Sequence, residues 1–260
     1  MHEPEEKIGS PLRTPLLIAH GLYGSARNFN SLGKQLAVDR RVVMVDMRNH
    51  GESPWDARMT YPAMAADLAE AVERLCGGRA LVLGHSMGGK AAMALALSRP
   101  DLLAGLIVAD IAPVGYDHSH AGYIDAMQGV DLSQVTRRSQ AEPMLASALE
   151  EPMLRSFLLQ NLVVEGGEAR WRLNLAALKE SLPDLMAWPG AWPETAYEGP
   201  TLFLHGGASD YVLEEMHPRI RALFPDVAFE ALAGAGHWLH AEQPDAFLKS
   251  VRSFLRDLPA

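Results

Sequence analysis

Residues 81–93 read LVLGHSMGGKAAM. A Leu/Val run meets Gly84, then His85, Ser86, Met87 and Gly88, and an Ala/Met-rich run follows. This is G-x-S-x-G set between a strand pattern and a helix pattern, the context in which a serine is lifted onto a strained turn at a sheet edge. Such a serine needs small residues two positions either side, because a Cβ there would collide with the turn. Gly84 and Gly88 supply the room, and Gly89 eases packing of the helix on the strand. The start of a helix also favours negative charge developing beside Ser86. An incidental serine in a Gly-rich turn would not require both flanks. Ser86 is therefore the candidate nucleophile.

Outward from this turn, short β-branched or Leu-rich runs alternate with helical patterns, which predicts an α/β fold with a mostly parallel central sheet flanked by helices. Strands are expected over residues 15–20, 41–46, 80–85, 105–110, 201–206 and 227–232. Helices are expected over 28–38, 61–75, 87–98, 215–223 and 243–257, with Pro62 and Pro100 punctuating helix ends. The alternation breaks over 113–197, which shows helical patterns, no convincing strand, and dividing prolines at 143, 152, 183, 189 and 193. The expected organisation is thus a core of residues 1–112 and 198–260 with a helical cap, residues 113–197, above the strands' C-terminal ends. Ligands of open α/β sheets bind at that edge. Tyr116, Tyr123, Met127, Met144, Phe157 and Trp188 belong to the insertion, most as its own core and a minority as pocket lining.

Composition narrows the function. The chain has 260 residues and a net charge of −9, which disfavours nucleic acid and anionic membranes as partners. The single cysteine, Cys76, excludes an internal disulfide and reads as a small buried hydrophobe. The N-terminal MHEPEEKIGS lacks the pattern of a signal peptide, and no apolar stretch reaches membrane-spanning length, so a soluble cytoplasmic protein is expected. Monomer and homodimer both remain open.

A serine nucleophile working on a carbonyl needs two N–H donors for the oxyanion. The amide of Met87 is one. The other is expected from the loop in LLIAHGLYG, where His20-Gly21 ends a strand and Leu22 offers its N–H. His20 itself reads as a brace for that loop. Asp46, Arg48, Asn49 and His50 in VDMRNHGESP read as a polar network fixing a second loop.

The general base should come from the loop after the last strand. His237 in LAGAGHWLHAEQP sits there after Gly234 and Gly236, with His240 as its neighbouring rival. His118 and His120 have no second ligand cluster near them, so they read as exposed loop residues and not as a metal site. Two carboxylates reach the correct sheet edge, Asp110 after GLIVAD and Asp210 after TLFLHG, and the residues alone leave both open.

Together these pieces resemble the α/β-hydrolase superfamily, with the chain order Ser…Asp…His. Within it the chain is most similar to small bacterial esterases of the YbfF type and their eukaryotic abhydrolase relatives. The likeness is carried by HGLYGSARNF (20–29), DMRNHGESP (46–54), LGHSMGGKAAM (83–93), LIVADIAPVGY (106–116), the GG-x-S-x-YV loop (206–212) and GHWLHAEQP (236–244). The resemblance implies the α/β-hydrolase fold, hydrolysis of carboxylic esters or thioesters, a small helical cap, no metal and no organic cofactor.

It also bears on the acid. Across the superfamily the carboxylate usually stands three residues past the Gly of an H-G-x-x-D loop, where this chain has Ser209; Asp210 falls one place further. YbfF-type enzymes resemble the chain here, with a serine at that position and the acid after the earlier strand. This implies Asp110 as the acid, Ser209 as its hydroxyl partner and Asp210 as the alternative. The expected substrate is a small-molecule ester. The rival readings are an acyl-CoA thioesterase, drawing a basic rim from Arg27, Arg48, Lys90, Arg137 and Arg138, a C–C bond hydrolase, and a non-enzymatic ligand-binding module on the same fold.

Overall fold

The computed structural model of the chain describes residues 13–117, 119–189 and 195–258. The N-terminal decapeptide, His118 and Pro193 lie outside the described residues. Six strands form the central sheet: β1 (Leu16–Ala19), β2 (Val42–Val45), β3 (Ala80–His85), β4 (Leu103–Ala109), β7 (Thr201–Gly206) and β8 (Val227–Leu232). Their order is β2-β1-β3-β4-β7-β8 and every pairing is parallel. The order reverses between β1 and β3, which opens a crevice at the C-terminal ends of these two strands. The loops carrying Gly21 and Ser86 meet there.

Alternation along the strands builds a core on each face. Leu16, Ile18, Leu81, Leu83, Ile107 and Leu204 pack against α1 (Asn30–Leu36) and α10 (Pro244–Asp257). On the other face Leu17, Val82, Leu106, Val108 and Phe203 pack against α2 (Tyr61–Leu75), α3 (Met87–Ser98) and α8 (His217–Leu223). Thr60 caps α2 by accepting from the Ala63 amide, and Pro62 stands in its first turn, where no donor is lost. α3 is buried on every side from Met87 to Leu97, which its Gly- and Ala-rich sequence permits. A short α9 (Leu239–Glu242) precedes α10. Cys76 is buried.

Between β4 and β7 lie α4 (Ala121–Gln128), α5 (Glu142–Ala146), α6 (Pro152–Leu159) and α7 (Leu175–Met186). Two expectations for this stretch are corrected. It contains a β-hairpin, β5 (Leu162–Glu165) with β6 (Glu168–Trp171), paired antiparallel. Gly166 and Gly167 turn it with φ of 62° and 86°, the left-handed pair that a two-residue hairpin loop demands. Pro183 does not divide the helices either. It sits inside α7, near its end, so the helix forfeits only the one backbone bond that Pro cannot donate.

The insertion meets the core above the sheet's C-terminal edge. Asn161 Nδ2 donates to the Tyr23 carbonyl (2.7 Å), the Asn174 amide to the Asn49 carbonyl (3.1 Å) and the Tyr61 hydroxyl to the Leu185 carbonyl (2.6 Å). No helix among the described residues is long and apolar enough to cross a membrane.

Candidate active site

Ser86 stands between β3 and α3 with φ 52° and ψ −119°, a conformation that costs a non-glycine residue about 1–3 kcal/mol. The surroundings hold it there. A Cβ on Gly84 would run into the Gly88 carbonyl, and one on Gly88 would lie 2.5 Å from the carbonyl oxygens of Ala19 and His20. The Ser86 amide continues the sheet ladder by donating to the Ala109 carbonyl (3.0 Å), so the strained turn rests on β4.

The Ser86 hydroxyl lies 3.0 Å from Nε2 of His237, and Nδ1 of the same ring lies 2.8 Å from Oδ2 of Asp110. Asp110 follows β4, has φ 52° and is 0% exposed. Its carboxylate is held on three sides. Oδ2 also accepts from the Ser209 hydroxyl (2.6 Å), and Oδ1 accepts from the Gly206 amide (2.9 Å). A carboxylate on Nδ1 fixes the tautomer that leaves Nε2 free to accept a proton from Ser86. Asp210 is exposed, and no hydrogen bond joins it to His237. The position that carries Asp in an H-G-x-x-D loop thus brings Ser209 to the site, and Asp210, one place further, stays outside it.

His240, the rival base, is buried and stacked on Phe29 (ring centroids 4.6 Å apart), which pushes its pKa down to about 4. It forms no hydrogen bond with Ser86. His85 donates from Nε2 to the His237 carbonyl (2.9 Å), and burial holds its own pKa well below the usual histidine value. Glu242 accepts from the amides of Gly236 (2.6 Å) and Trp238 (3.1 Å), the two residues flanking His237. Tyr211 stacks on the imidazole at 4.0 Å between centroids. Tyr116 ties the two acid-side loops together: its hydroxyl accepts from the Ala112 amide (2.8 Å) and donates to the Tyr211 carbonyl (2.7 Å).

Leu22 and Met87 both line the same cavity as Ser86, and among the described residues the amide of neither donates to a protein acceptor. The aim of the Leu22 N–H is set from behind. Peptide planarity points it opposite to the Gly21 carbonyl, which accepts from His20 Nδ1 (2.8 Å) and from the Gly24 amide (3.0 Å). His20 Nε2 in turn accepts from the Met47 amide (2.9 Å). Next along, Tyr23 has φ 61°, and its amide donates to His50 Nε2 (3.2 Å) while His50 Nδ1 donates to the Arg48 carbonyl (2.8 Å). Burial lowers both pKa values, His50 to about 3, so both rings are neutral braces. Asp46 accepts from the amides of Ala26 and Glu52, and Arg48 makes a two-pronged pair with Asp67 (2.6 and 2.7 Å), so the second loop is the expected polar network.

The cavity over Ser86 encloses about 70 Å³, room for a few water-sized spheres. Of the six insertion residues named from sequence, Tyr116, Tyr123 and Phe157 line it, and Met127 is insertion core. His120 is corrected: it is half-buried against Tyr23 and Tyr123 and lines the cavity, where an exposed loop residue was expected. No group of three metal-ligating side chains occurs among the described residues. Of the cations expected in a basic rim, Arg48 is spent on Asp67, Arg138 donates to the Leu162 carbonyl (3.0 Å), and Lys90 is 1% exposed. Glu242, Tyr116, Asn161 and His85 were not singled out from sequence for these contacts. All four hydrogen-bond to main-chain groups, and Glu242, with Gly236 and Trp238, and Tyr116, with Ala112, do so to near neighbours in the chain.

Comparison with known proteins places this geometry among relatives. A family model described as the alpha/beta hydrolase fold matches residues 14–244. The chain is 44% identical to the sn-1-specific diacylglycerol lipase ABHD11 of Mus musculus, over 92% of this chain and 80% of that protein. It is 39% identical to Esterase YbfF of Escherichia coli, over 94% of each. Among solved structures, a marine microorganism esterase superposes with a TM-score of 0.90 at 37% identity, covering 94% of this chain and 96% of the other.

Proposed function

Because this chain belongs to the α/β-hydrolase family, we propose that its esterase chemistry runs through an acyl-enzyme formed on Ser86. The chain is a carboxylesterase. His237 takes the Ser86 proton as the hydroxyl attacks the ester carbonyl, and the Leu22 and Met87 amides bind the resulting oxyanion. His237 then gives the proton to the departing alkoxide. Water, deprotonated by the same ring, attacks the acyl-enzyme; the acyl–oxygen bond to Ser86 breaks, His237 returns the proton to the Ser86 oxygen, and the acid is released. Asp110 holds the imidazole tautomer and stabilises the imidazolium, with Ser209 and the Gly206 amide fixing the carboxylate. The observation that carries this reading is the unbroken Ser86–His237–Asp110 hydrogen-bonded line, 3.0 and 2.8 Å.

Residues 113–197 act as the cap, and residues 1–112 with 198–260 as the core. The substrates are carboxylic esters of small to medium acyl chains, in keeping with the narrow cavity. The acyl-CoA thioesterase alternative is weaker, because Lys90 is buried and Arg48 is paired with Asp67, which leaves only the exposed Arg27, Arg137 and Arg138 for a phosphate-binding rim. A binding module without activity has no use for a serine held at positive φ against a histidine. The acidic charge and the single buried cysteine suit a cytoplasmic enzyme.

Hydrolysis of p-nitrophenyl esters from acetate to decanoate, measured beside acyl-CoAs, tests the assignment. The expected result is turnover of the shorter esters that Ser86→Ala abolishes, with acyl-CoAs poor substrates. Preferred cleavage of acyl-CoAs would replace the ester reading with the thioester one.

A further inference from the structure

Lys90 sits one turn into the nucleophile's helix, where its amide donates to the Ser86 carbonyl (3.0 Å). Its side chain is 1% exposed and pairs with no carboxylate among the described residues. Nζ donates instead to the carbonyls of Met186 (3.1 Å) and Ala187 (2.8 Å), at the C-terminal end of α7. It also lies over the ring faces of Tyr116 (4.8 Å) and Tyr61 (5.5 Å). A buried ammonium is costly, and a methionine would fill the volume without the cost. What offsets it here is the helix end. The last carbonyls of a helix lack intrahelical partners and carry its negative pole, so a cation with two N–H donors suits them.

The same helix end is held twice more. The Tyr61 hydroxyl, from α2, donates to the Leu185 carbonyl (2.6 Å), and the Tyr116 amide, from the loop after β4, to the Met186 carbonyl (3.0 Å). Three consecutive carbonyls at the end of α7 are therefore taken by three separate segments, two of them core helices, and Lys90 alone comes from the helix that bears Ser86. Leu185 and Met186 also form part of the cavity wall.

We propose that Lys90 is a positioning residue that pins the end of α7 to the nucleophile's helix and thereby fixes the depth of the acyl pocket. This rests on the reading of Ser86 as nucleophile. With the pin in place the Leu185–Met186 wall stands close to the reacting carbon and penalises long chains. Without it the helix end relaxes outward and the pocket deepens.

The test is the ratio of kcat/KM for p-nitrophenyl octanoate to that for the acetate, in wild type, Lys90→Met and Tyr61→Phe. A few methylenes gained or lost in an apolar pocket change relative rates about tenfold or more, so the ratio should rise by about tenfold in Lys90→Met and shift the same way, by less, in Tyr61→Phe. A general loss of stability lowers both rates together and leaves the ratio alone. An unchanged or falling ratio in a folded Lys90→Met overturns the proposal, and if that variant does not fold, Tyr61→Phe decides on the same criterion. Selective loss of activity on a half-ester bearing a free carboxylate, with the neutral ratio unchanged, would make Lys90 a substrate ligand and also overturn it. Wild type that cleaves no ester would instead contradict the functional reading.

Discussion

The Ser209 hydroxyl lies 2.6 Å from the Oδ2 oxygen of Asp110, the same oxygen that faces Nδ1 of His237 at 2.8 Å. One carboxylate oxygen thus serves both the imidazole and a hydroxyl from the loop where related folds usually place the acid itself. Asp110→Asn should lower kcat by about 10³–10⁴-fold, because the amide no longer fixes the tautomer. Asp210→Asn should stay within about twofold of wild type, as surface substitutions do. Ser209→Ala, which removes one of three hydrogen bonds to Asp110, should cost about tenfold. Steady-state kinetics on one ester orders the three, and a larger loss at Asp210 than at Asp110 would reverse the assignment.

Glu242 spans the amides on both sides of His237. Removing that bridge lets the base wander relative to Ser86, and misplacement of about 1 Å costs up to about 10²-fold in rate. Glu242→Ala should therefore lower kcat by about tenfold or more with little change in KM. An equal loss in binding, or none in kcat, would show that the loop is held by other contacts.

Several buried histidines are kept neutral by the fold. Burial depresses the pKa of His50 to about 3 and that of His240 to about 4, and lowers those of His20 and His85. Above pH ~6.5 each is neutral both folded and unfolded, so folding takes no toll there. Between that value and about pH 4 the unfolded chain binds protons that the native state refuses, so stability falls as pH falls. Each histidine contributes a slope of up to about 1.4 kcal/mol per pH unit. Urea midpoints at pH 7.5, 6 and 5 should drop steeply across this window, and His50→Gln should flatten the drop. Equal midpoints at pH 7.5 and 5 would mean that these rings accept protons in place.

Lys90 gives a slope at the other end of the scale. Burial pushes its pKa down to about 7, and Tyr61 and Tyr116, the titratable groups facing it, are pushed up by their own burial. From pH ~7 to ~10.5 the unfolded chain holds a proton that the native lysine lacks, so this residue makes stability rise with pH, by up to about 1.4 kcal/mol per unit. Comparing urea unfolding of wild type and Lys90→Met at pH 7 and 9 isolates it. The advantage of the methionine variant should be larger at pH 7 than at pH 9, and a constant difference would mean that Lys90 keeps its proton in the native state and would contradict the lowered pKa.

Much of this was legible in the sequence, and for a physical reason. The strand–turn–helix flanks of Ser86 and the glycines around it are local demands, so they survive in the chain as a pattern. All six sheet strands fall where the apolar runs are. Asp110 was reached through resemblance, since residue type alone could not separate it from Asp210. The β5–β6 hairpin went unread because four-residue strands barely show a period, although Gly166-Gly167 marks its turn. Tyr116 and Asn161 hydrogen-bond main-chain groups 95 and 138 residues away, and a backbone acceptor leaves no sequence mark. Lys90 shows the same limit from the other side: a charge in the sequence does not say whether it meets solvent or the end of a helix.

Covalent capture tests the central claim, the Ser86 nucleophile, most directly. Intact-mass measurement after treatment with a fluorophosphonate should show a single adduct in wild type, mapped by peptide sequencing to Ser86, and none in Ser86→Ala. A folded wild-type protein that takes no adduct, or takes it at another residue while Ser86→Ala still labels, would contradict it.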